Sequence, residues 1–269
     1  MALVPLQKII EVSEYRLLIG AVLGQSPEWV FMHLPTLVLS AEQKLKLNNL
    51  VQRRVNGEPI AKILGYKEFY GRHFFTNAHT LDPRPDSETL IDAVCKYFSS
   101  AEPYQILDLG LGTGCLLFTL LCEFPNAYGI GVDYSLEALQ VAKRNQENLN
   151  LAKRSNLIQS SWTSALQGSF DIIVSNPPYI ATSEQLDAST LHDPSMALFS
   201  GQTGLEAYEQ VLPKLKCLLK PNGKILLEIG RGQELCVEKI AIAAGLANES
   251  VFTDLSGIIR VLCYSPVKA

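Results

Sequence analysis

The sequence predicts an α/β protein: a mostly parallel, Rossmann-like sheet wrapped by helices, preceded by a small all-α region and a β-hairpin linker. Three observations carry this prediction. From Gln105 onward, short apolar runs alternate with helical patterns, as parallel strands joined by crossover helices do. Before about residue 80 the periodicity is helical, until two aromatic-rich strand signals flank Gly71. Two of the apolar runs end in constrained polar tips, Gly110-Leu111-Gly112-Thr113-Gly114 and Asn176-Pro177-Pro178-Tyr179. Open α/β sheets bind ligands at the carboxyl ends of their strands.

The elements follow in order. Ser26-Pro27 starts a helix, with Ser as N-cap and Pro in the first turn. Ser40 and Gln43 form a capping box for the next helix, which Gly57 ends. Residues 66–70 and 73–76 read as a hairpin around Gly71. The two prolines of Pro83-Arg84-Pro85 mark a linker, and Asp86-Ser87-Glu88 opens a helix with acidic residues in its first turn. The domains are therefore expected at residues 1–78 and 79–269. Strands are expected over 105–109, 127–132 and 170–175, then over 224–229 after the turn Pro221-Asn222-Gly223, and over 258–264.

Length and composition suit a globular enzyme. The 269 residues are comfortable for two domains. A net charge of −4 counts against a general nucleic-acid binder, whose affinity comes from neutralising phosphates. Lys44, Lys46, Arg53 and Arg54 alternate with apolar residues and read as the solvated face of a helix. No basic stretch followed by an apolar core lies at Met1, so no signal peptide is expected, and no apolar run is long enough to span a bilayer. The six cysteines, at 95, 115, 122, 217, 236 and 263, have mostly apolar neighbours and form no C-x-x-C pair. They read as buried reduced thiols of a cytoplasmic protein. The four histidines lack metal-ligand spacing, so no metal is expected.

The chemistry lies at the strand tips. A strand, a glycine loop and the helical stretch from Cys115 make a nucleotide-binding unit, in which glycines let the backbone turn tightly against a ligand. The dinucleotide fingerprint fails at Cys115; the pattern met is Asp-x-Gly-x-Gly-x-Gly from Asp108 to Gly114, which resembles motif I of S-adenosylmethionine-dependent methyltransferases. Asp133 ends the next strand about 20 residues on, where a carboxylate accepts from both ribose hydroxyls; the alternative is a helix cap near Ser135. Asp108 would offset the positive end of such a cofactor. In Asn176-Pro177-Pro178-Tyr179 each Pro fixes φ and removes an N–H. The segment then offers acceptors, the Asn176 side-chain oxygen and the Pro177 carbonyl, to the two hydrogens of an –NH2 group. Tyr179 can stack on the plane that carries it.

With these residues in view, the chain resembles the bacterial protein-(glutamine-N5) methyltransferases that modify peptide chain release factors. The likeness covers nearly the whole length. It rests on Gly57-Glu58-Pro59-Ile60-Ala61 with the block from Leu64 to Gly71, on Pro83-Arg84-Pro85, the glycine loop, Ser161-Trp162, Asn176-Pro177-Pro178-Tyr179, and Leu227-Glu228-Ile229-Gly230 with Gly232-Gln233. The resemblance implies a class I methyltransferase sheet of seven strands, one of them reversed. It implies S-adenosyl-L-methionine held by Asp108, Gly110, Leu111, Gly112, Thr113, Gly114, Asp133 and Asn176, with Trp162 on the adenine. It also implies a monomer acting on the Gln of a release factor's Gly-Gly-Gln loop, catalysed by Asn176, Pro177 and Tyr179 and bound through Asn176 to Tyr179, with no nucleic acid or membrane partner. The chain departs from the family at Asp86-Ser87, where Glu-Thr is usual, and at Ser161, Thr203 and His192-Asp193. The alternative reading is a DNA adenine-N6 or RNA base methyltransferase, since the same tetrapeptide grips the exocyclic amines of flipped bases.

Overall fold

The computed structural model describes residues 10–187 and 189–267. The expectation about the segment that follows Met1 lies outside them. The chain forms two compact units. Of the described residues, one unit comprises those up to Tyr66 together with those within Leu186–His192; the other comprises Lys67–Gln185 and those from Asp193 onward.

The first unit is helical. It contains α1 (Val12–Leu23), α2 (Pro27–His33), α3 (Ala41–Val55) and α4 (Ile60–Leu64). The caps explain the boundaries. Ser26 accepts from the Trp29 N–H at the start of α2, and Ser40 and Gln43 close a reciprocal capping box on α3. Tyr15, Leu18, Ile19, Val30, Leu47 and Val51 form its core. Lys44, Lys46 and Arg53 are exposed, as the solvated face of a helix requires, and Arg54 is half-buried. Arg54 pairs with Glu14 at 2.9 Å, Arg53 with Glu58, and Lys46 with Glu42 at 2.8 Å, so acidic partners answer three of the four.

A hairpin of β1 (Tyr66–Phe69) and β2 (Arg72–Phe75) follows. Its turn places Tyr70 at φ 49° and Gly71 at φ 71°, both left-handed. Two positive-φ residues match the twist of paired strands, which is why two-residue hairpin turns favour them. The unfavourable Tyr70 is held by Glu88, which accepts its N–H at 2.8 Å, and by Asp92, which accepts its hydroxyl at 2.9 Å.

The second unit is built on a seven-stranded sheet. In chain order the elements are α5 (Glu88–Tyr97), β3 (Gln105–Leu109), α6 (Cys115–Glu123), β4 (Tyr128–Asp133), α7 (Leu136–Asn148), β5 (Ser155–Gln159), β6 (Phe170–Ser175), α8 (Ser195–Leu198), α9 (Glu206–Leu215), β7 (Leu219–Glu228), α10 (Glu234–Ala243), β8 (Leu246–Thr253) and β9 (Ile259–Pro266). The spatial order is β5-β4-β3-β6-β7-β9-β8, and β9 alone runs against the rest. Alternate residues feed two cores, as the two-residue strand period requires. Ile106, Ile172, Val174 and Leu226 join one; Leu107, Ile173, Ile225 and Leu227 join the other.

Two expectations need correction. The turn expected at Pro221-Asn222-Gly223 lies inside β7, as an irregularity. Both ladders of β7 are regular only from Lys224 or Ile225, so Pro221 costs no central hydrogen bond. The cysteines are unbridged, but only Cys263 is fully buried; Cys95, Cys217 and Cys236 are exposed. These three sit on the outward sides of helical segments, where apolar neighbours in sequence are not neighbours in space. Among the described residues, no helix is long and apolar enough to cross a membrane.

Candidate active site

The sheet topology fixes where a site can form. The chain moves outward from β3 through β4 to β5, then returns to lay β6 on the other side of β3. That reversal leaves a crevice beyond the carboxyl ends of β3 and β6, the switch point at which open α/β sheets bind ligands. The glycine loop leaves one of these ends and Asn176 leaves the other. A cavity opens here. Gly110, Leu111, Gly112, Thr113, Asp133, Trp162, Asn176 and Pro178 all line it. Four other expected site residues, Asp108, Gly114, Pro177 and Tyr179, do not.

The loop is held from below. The N–H groups of Gly110 and Leu111 both donate to the Val132 carbonyl at 2.9 Å. Gly112 donates to Asp133 Oδ2 at 2.8 Å, and Ser135 donates to Oδ1 at 2.9 Å. Asp133 therefore braces the loop and the entry to α7, while Ser135 itself caps that helix by accepting from Ala138. Each Asp133 oxygen has a second lone-pair direction to offer a ligand. Burial raises the Asp133 carboxyl above its ordinary range, against hydrogen bonds from Gly112 and Ser135 that lower it. Gly110 has φ 79°, and a Cβ there would stand 3.8 Å from the Trp162 ring and 3.9 Å from the Asn176 carbonyl. It would fill the space between two walls of the cavity. Gly114 is required for a different reason: its Cβ would lie 2.3 Å from the Phe118 ring.

Trp162 adopts φ 49°, a strained backbone for an aromatic residue, and its indole N–H donates to Gln210 at 3.2 Å. Such strain persists only where the surroundings enforce it, commonly at functional sites. Asn145, on α7, has no exposure and joins two parts of the unit. It accepts from the Phe75 N–H at 2.7 Å and donates to the carbonyls of Phe75 and Thr113, tying the hairpin to the glycine loop. Arg84 reaches buried Asp193 at 2.7 Å, so the departure at Asp193 still anchors the Pro83–Pro85 segment.

Asp108 lies beneath the loop, 1% exposed. Its Oδ2 accepts from the Leu117 N–H at 3.2 Å, and its Oδ1 has no partner among the described residues. Burial pushes the carboxyl up to about 8. Between the ordinary carboxylate range and that value, the folded chain holds a proton that the unfolded chain has released. Stability should therefore fall as pH rises from about 4 to about 8. Asp108→Asn is expected to flatten that decline and to raise the melting temperature at neutral pH, as thermal scans across the window would read. A steeper decline in the variant would exclude Asp108 as its source.

Tyr179 is half-buried. Its carbonyl accepts from Gln233 Nε2 at 2.9 Å, and the Gln233 oxygen accepts from the Gly230 N–H at 3.0 Å. A Cβ on Gly230 would meet the Tyr179 ring at 3.0 Å. The Asn176 –NH2 donates to Ser87 Oγ at 3.1 Å. Ser87 was expected only to open a helix; nothing local in the sequence announces its contact across 89 residues.

The fold is that of class I S-adenosylmethionine-dependent methyltransferases. A methyltransferase domain family matches residues 101–252, and the PrmC N-terminal domain matches residues 6–65. A release factor glutamine methyltransferase from Bradyrhizobium diazoefficiens is 39% identical over 254 residues, covering 92% of this chain and 85% of that protein. The chain belongs to the release factor glutamine methyltransferase family. A bifunctional methyltransferase from Rickettsia felis is also 39% identical, over 94% of this chain, and the chain spans about half, 54%, of its length. Among solved structures, a methyltransferase from Pyrococcus furiosus matches with TM-score 0.55 at 20% identity, covering 81% of this chain and 98% of that one, a likeness of fold.

Proposed function

We propose that this protein transfers a methyl group from S-adenosyl-L-methionine to the side-chain amide nitrogen, N5, of the glutamine in the Gly-Gly-Gln loop of peptide chain release factors. The observation that carries the reading is the meeting of the glycine loop and Asn176 in one crevice, in a chain of this family. The residues suit the cofactor. The unpartnered Asp108 Oδ1 would receive its amino group, and a cation brought there would draw the Asp108 carboxyl back down. Asp133 has lone pairs for two ribose hydroxyls, and Trp162 would pack on the adenine.

When bound, the cofactor supplies an activated methyl on a sulfonium. The chain's own task is alignment, because an amide nitrogen delocalises its lone pair into its carbonyl. Asn176 Oδ1 and the Pro177 carbonyl would accept the two amide hydrogens and aim that lone pair. Alignment of two reactants is worth roughly 7–11 kcal/mol. The same acceptors favour positive charge developing on nitrogen. Pro178 walls the crevice, and Tyr179, fixed through its carbonyl by Gln233, would stack on the target plane.

The region of residues 1–78 would serve recognition of the release factor, and the enzyme would act as a cytoplasmic monomer. A nucleobase amine as target is disfavoured by the family and by the acidic partners of Lys46, Arg53 and Arg54. The test is a mass measurement on a release factor incubated with the protein and S-adenosylmethionine. One added methyl, located on the Gly-Gly-Gln glutamine and absent when that residue is Ala, is expected. An unmodified factor would overturn the proposal.

A further inference from the structure

Glu228 is a buried acid to which the mechanism above gives no task. It closes β7, 1% exposed, and its Oε2 has no partner among the described residues. A carboxylate held this way is costly to bury unless it does something. Its position is informative. In the β6–β7 ladder Val174 faces Leu226 and Ser175 faces Leu227. The next step brings Asn176 level with Glu228. Both also continue the face of the sheet that carries Val174 and Leu226, since side chains alternate with period two.

The two are neighbours across the strands, and Ser87 and Asn176 both stand near enough to the Glu228 carboxyl to favour its charged form. Ser87 Oγ in turn accepts from Asn176 Nδ2 at 3.1 Å. An Asn side chain has a donor end and an acceptor end, and its neighbours decide which way it points. Burial pushes the Glu228 carboxyl up to about 7, while Ser87, Arg260 and Asn176 draw it down. Once ionised it only accepts; it then selects the –NH2 end of Asn176 and leaves Oδ1 for the crevice. A neutral apolar residue at 228 would remove that selection, and the amide would be free to turn its donor end toward a target that also donates.

We infer that Glu228, together with Ser87, is a positioning residue that fixes the orientation of the Asn176 amide, so that its oxygen rather than its nitrogen meets the substrate –NH2. The inference rests on the amide-clamp reading of Asn176. Glu228 touches neither substrate nor cofactor; it acts through Asn176.

The test uses the full chain, S-adenosylmethionine and a release factor. Glu228→Met removes every acceptor at similar volume. It should lower kcat by about 100-fold, the order of loss that misplacing a reacting group produces. The cofactor dissociation constant should stay within about threefold, and the melting temperature should change little, because a packed apolar side chain removes the cost of burying an acid whose Oε2 has no partner among the described residues. Glu228→Gln keeps one acceptor and should recover most of the rate. In an Asn176→Ala background, Glu228→Met should cost less than about threefold more, since residues acting as a unit are not additive. Wild-type kcat in Glu228→Met would overturn the inference, and so would an equal loss in both backgrounds or a Glu228→Gln variant as slow as Glu228→Met. If Asn176→Ala alone turned over normally, the clamp reading would fail first, and wild-type protein that left the factor unmodified would fail the proposed reaction itself.

Discussion

Asn176→Ala is expected to lower turnover by about 10²–10³-fold, the loss seen when one preorganised polar contact to a reacting group is removed. Three features place the effect on chemistry rather than on folding. Asn176 is the first residue beyond β6, so its loss breaks no ladder bond within the paired residues. The residue lines the cavity, and the contact its side-chain oxygen would make there is to the target amide. Its –NH2 bond to Ser87 orients it; without it Ser87 Oγ loses one donor. The cofactor's affinity should change by only a few-fold, so kcat falls while cofactor binding holds. Steady-state kinetics at saturating release factor, with calorimetry of cofactor binding, would separate the two. Turnover near the wild-type rate would show that Asn176 does not clamp the amide. Asn176→Asp sharpens the same point. It would set a second carboxyl against the buried Glu228, and like charges sharing a site cannot both ionise. It should be no more active than the Ala variant despite its matching shape.

Much of this site was legible because its signals are local. The glycine loop and the Asn-Pro-Pro-Tyr tip each follow an apolar run directly, so a few adjacent residues announce strand, turn and chemistry together. The central strands β3, β4, β6 and the end of β7 read clearly for the same reason: they are covered on both faces and their sequences are almost continuously apolar. The two strands that gave no signal, β5 and β8, are the two edges of the sheet. Ser155-Asn156-Leu157-Ile158-Gln159 and Leu246-Ala247-Asn248-Glu249 are half-solvated, and edge strands carry polar residues that protect them from pairing further. What could not be read at all was tertiary. Ser87 meets Asn176, Asn145 meets the hairpin and the glycine loop, and Gln233 meets the Tyr179 carbonyl across 89, 70 and 32, and 54 residues respectively. Glu228 and Gln233 stood out in sequence only as parts of a family likeness. Their tasks depend on register and on side-chain direction, which no local pattern encodes.

Asp133→Ala is the second large effect, and here the expected loss is in cofactor binding. The carboxylate has two roles in the structure. It braces Gly112 and Ser135 through one oxygen each, and the residue lines the cavity, where its remaining lone pairs would meet a ligand. Removing it deletes two bonds to a ribose and loosens the loop that would shape the cofactor's path. Hydrogen bonds to a charged group are worth roughly 1.5–3 kcal/mol each. Two of them amount to about 10²–10⁴-fold in dissociation constant, at about 1.4 kcal/mol per tenfold. Asp133→Asn separates the roles. It keeps one acceptor oxygen and nearly the same shape, so it can still brace one N–H, but it offers a donor where the second oxygen stood. Its affinity for S-adenosylmethionine should fall between wild type and Ala. Calorimetric titration of the free protein with the cofactor reads all three directly. An unchanged dissociation constant in Asp133→Ala would reduce Asp133 to a brace between the glycine loop and α7, and the ribose contact would have to come from elsewhere in the crevice.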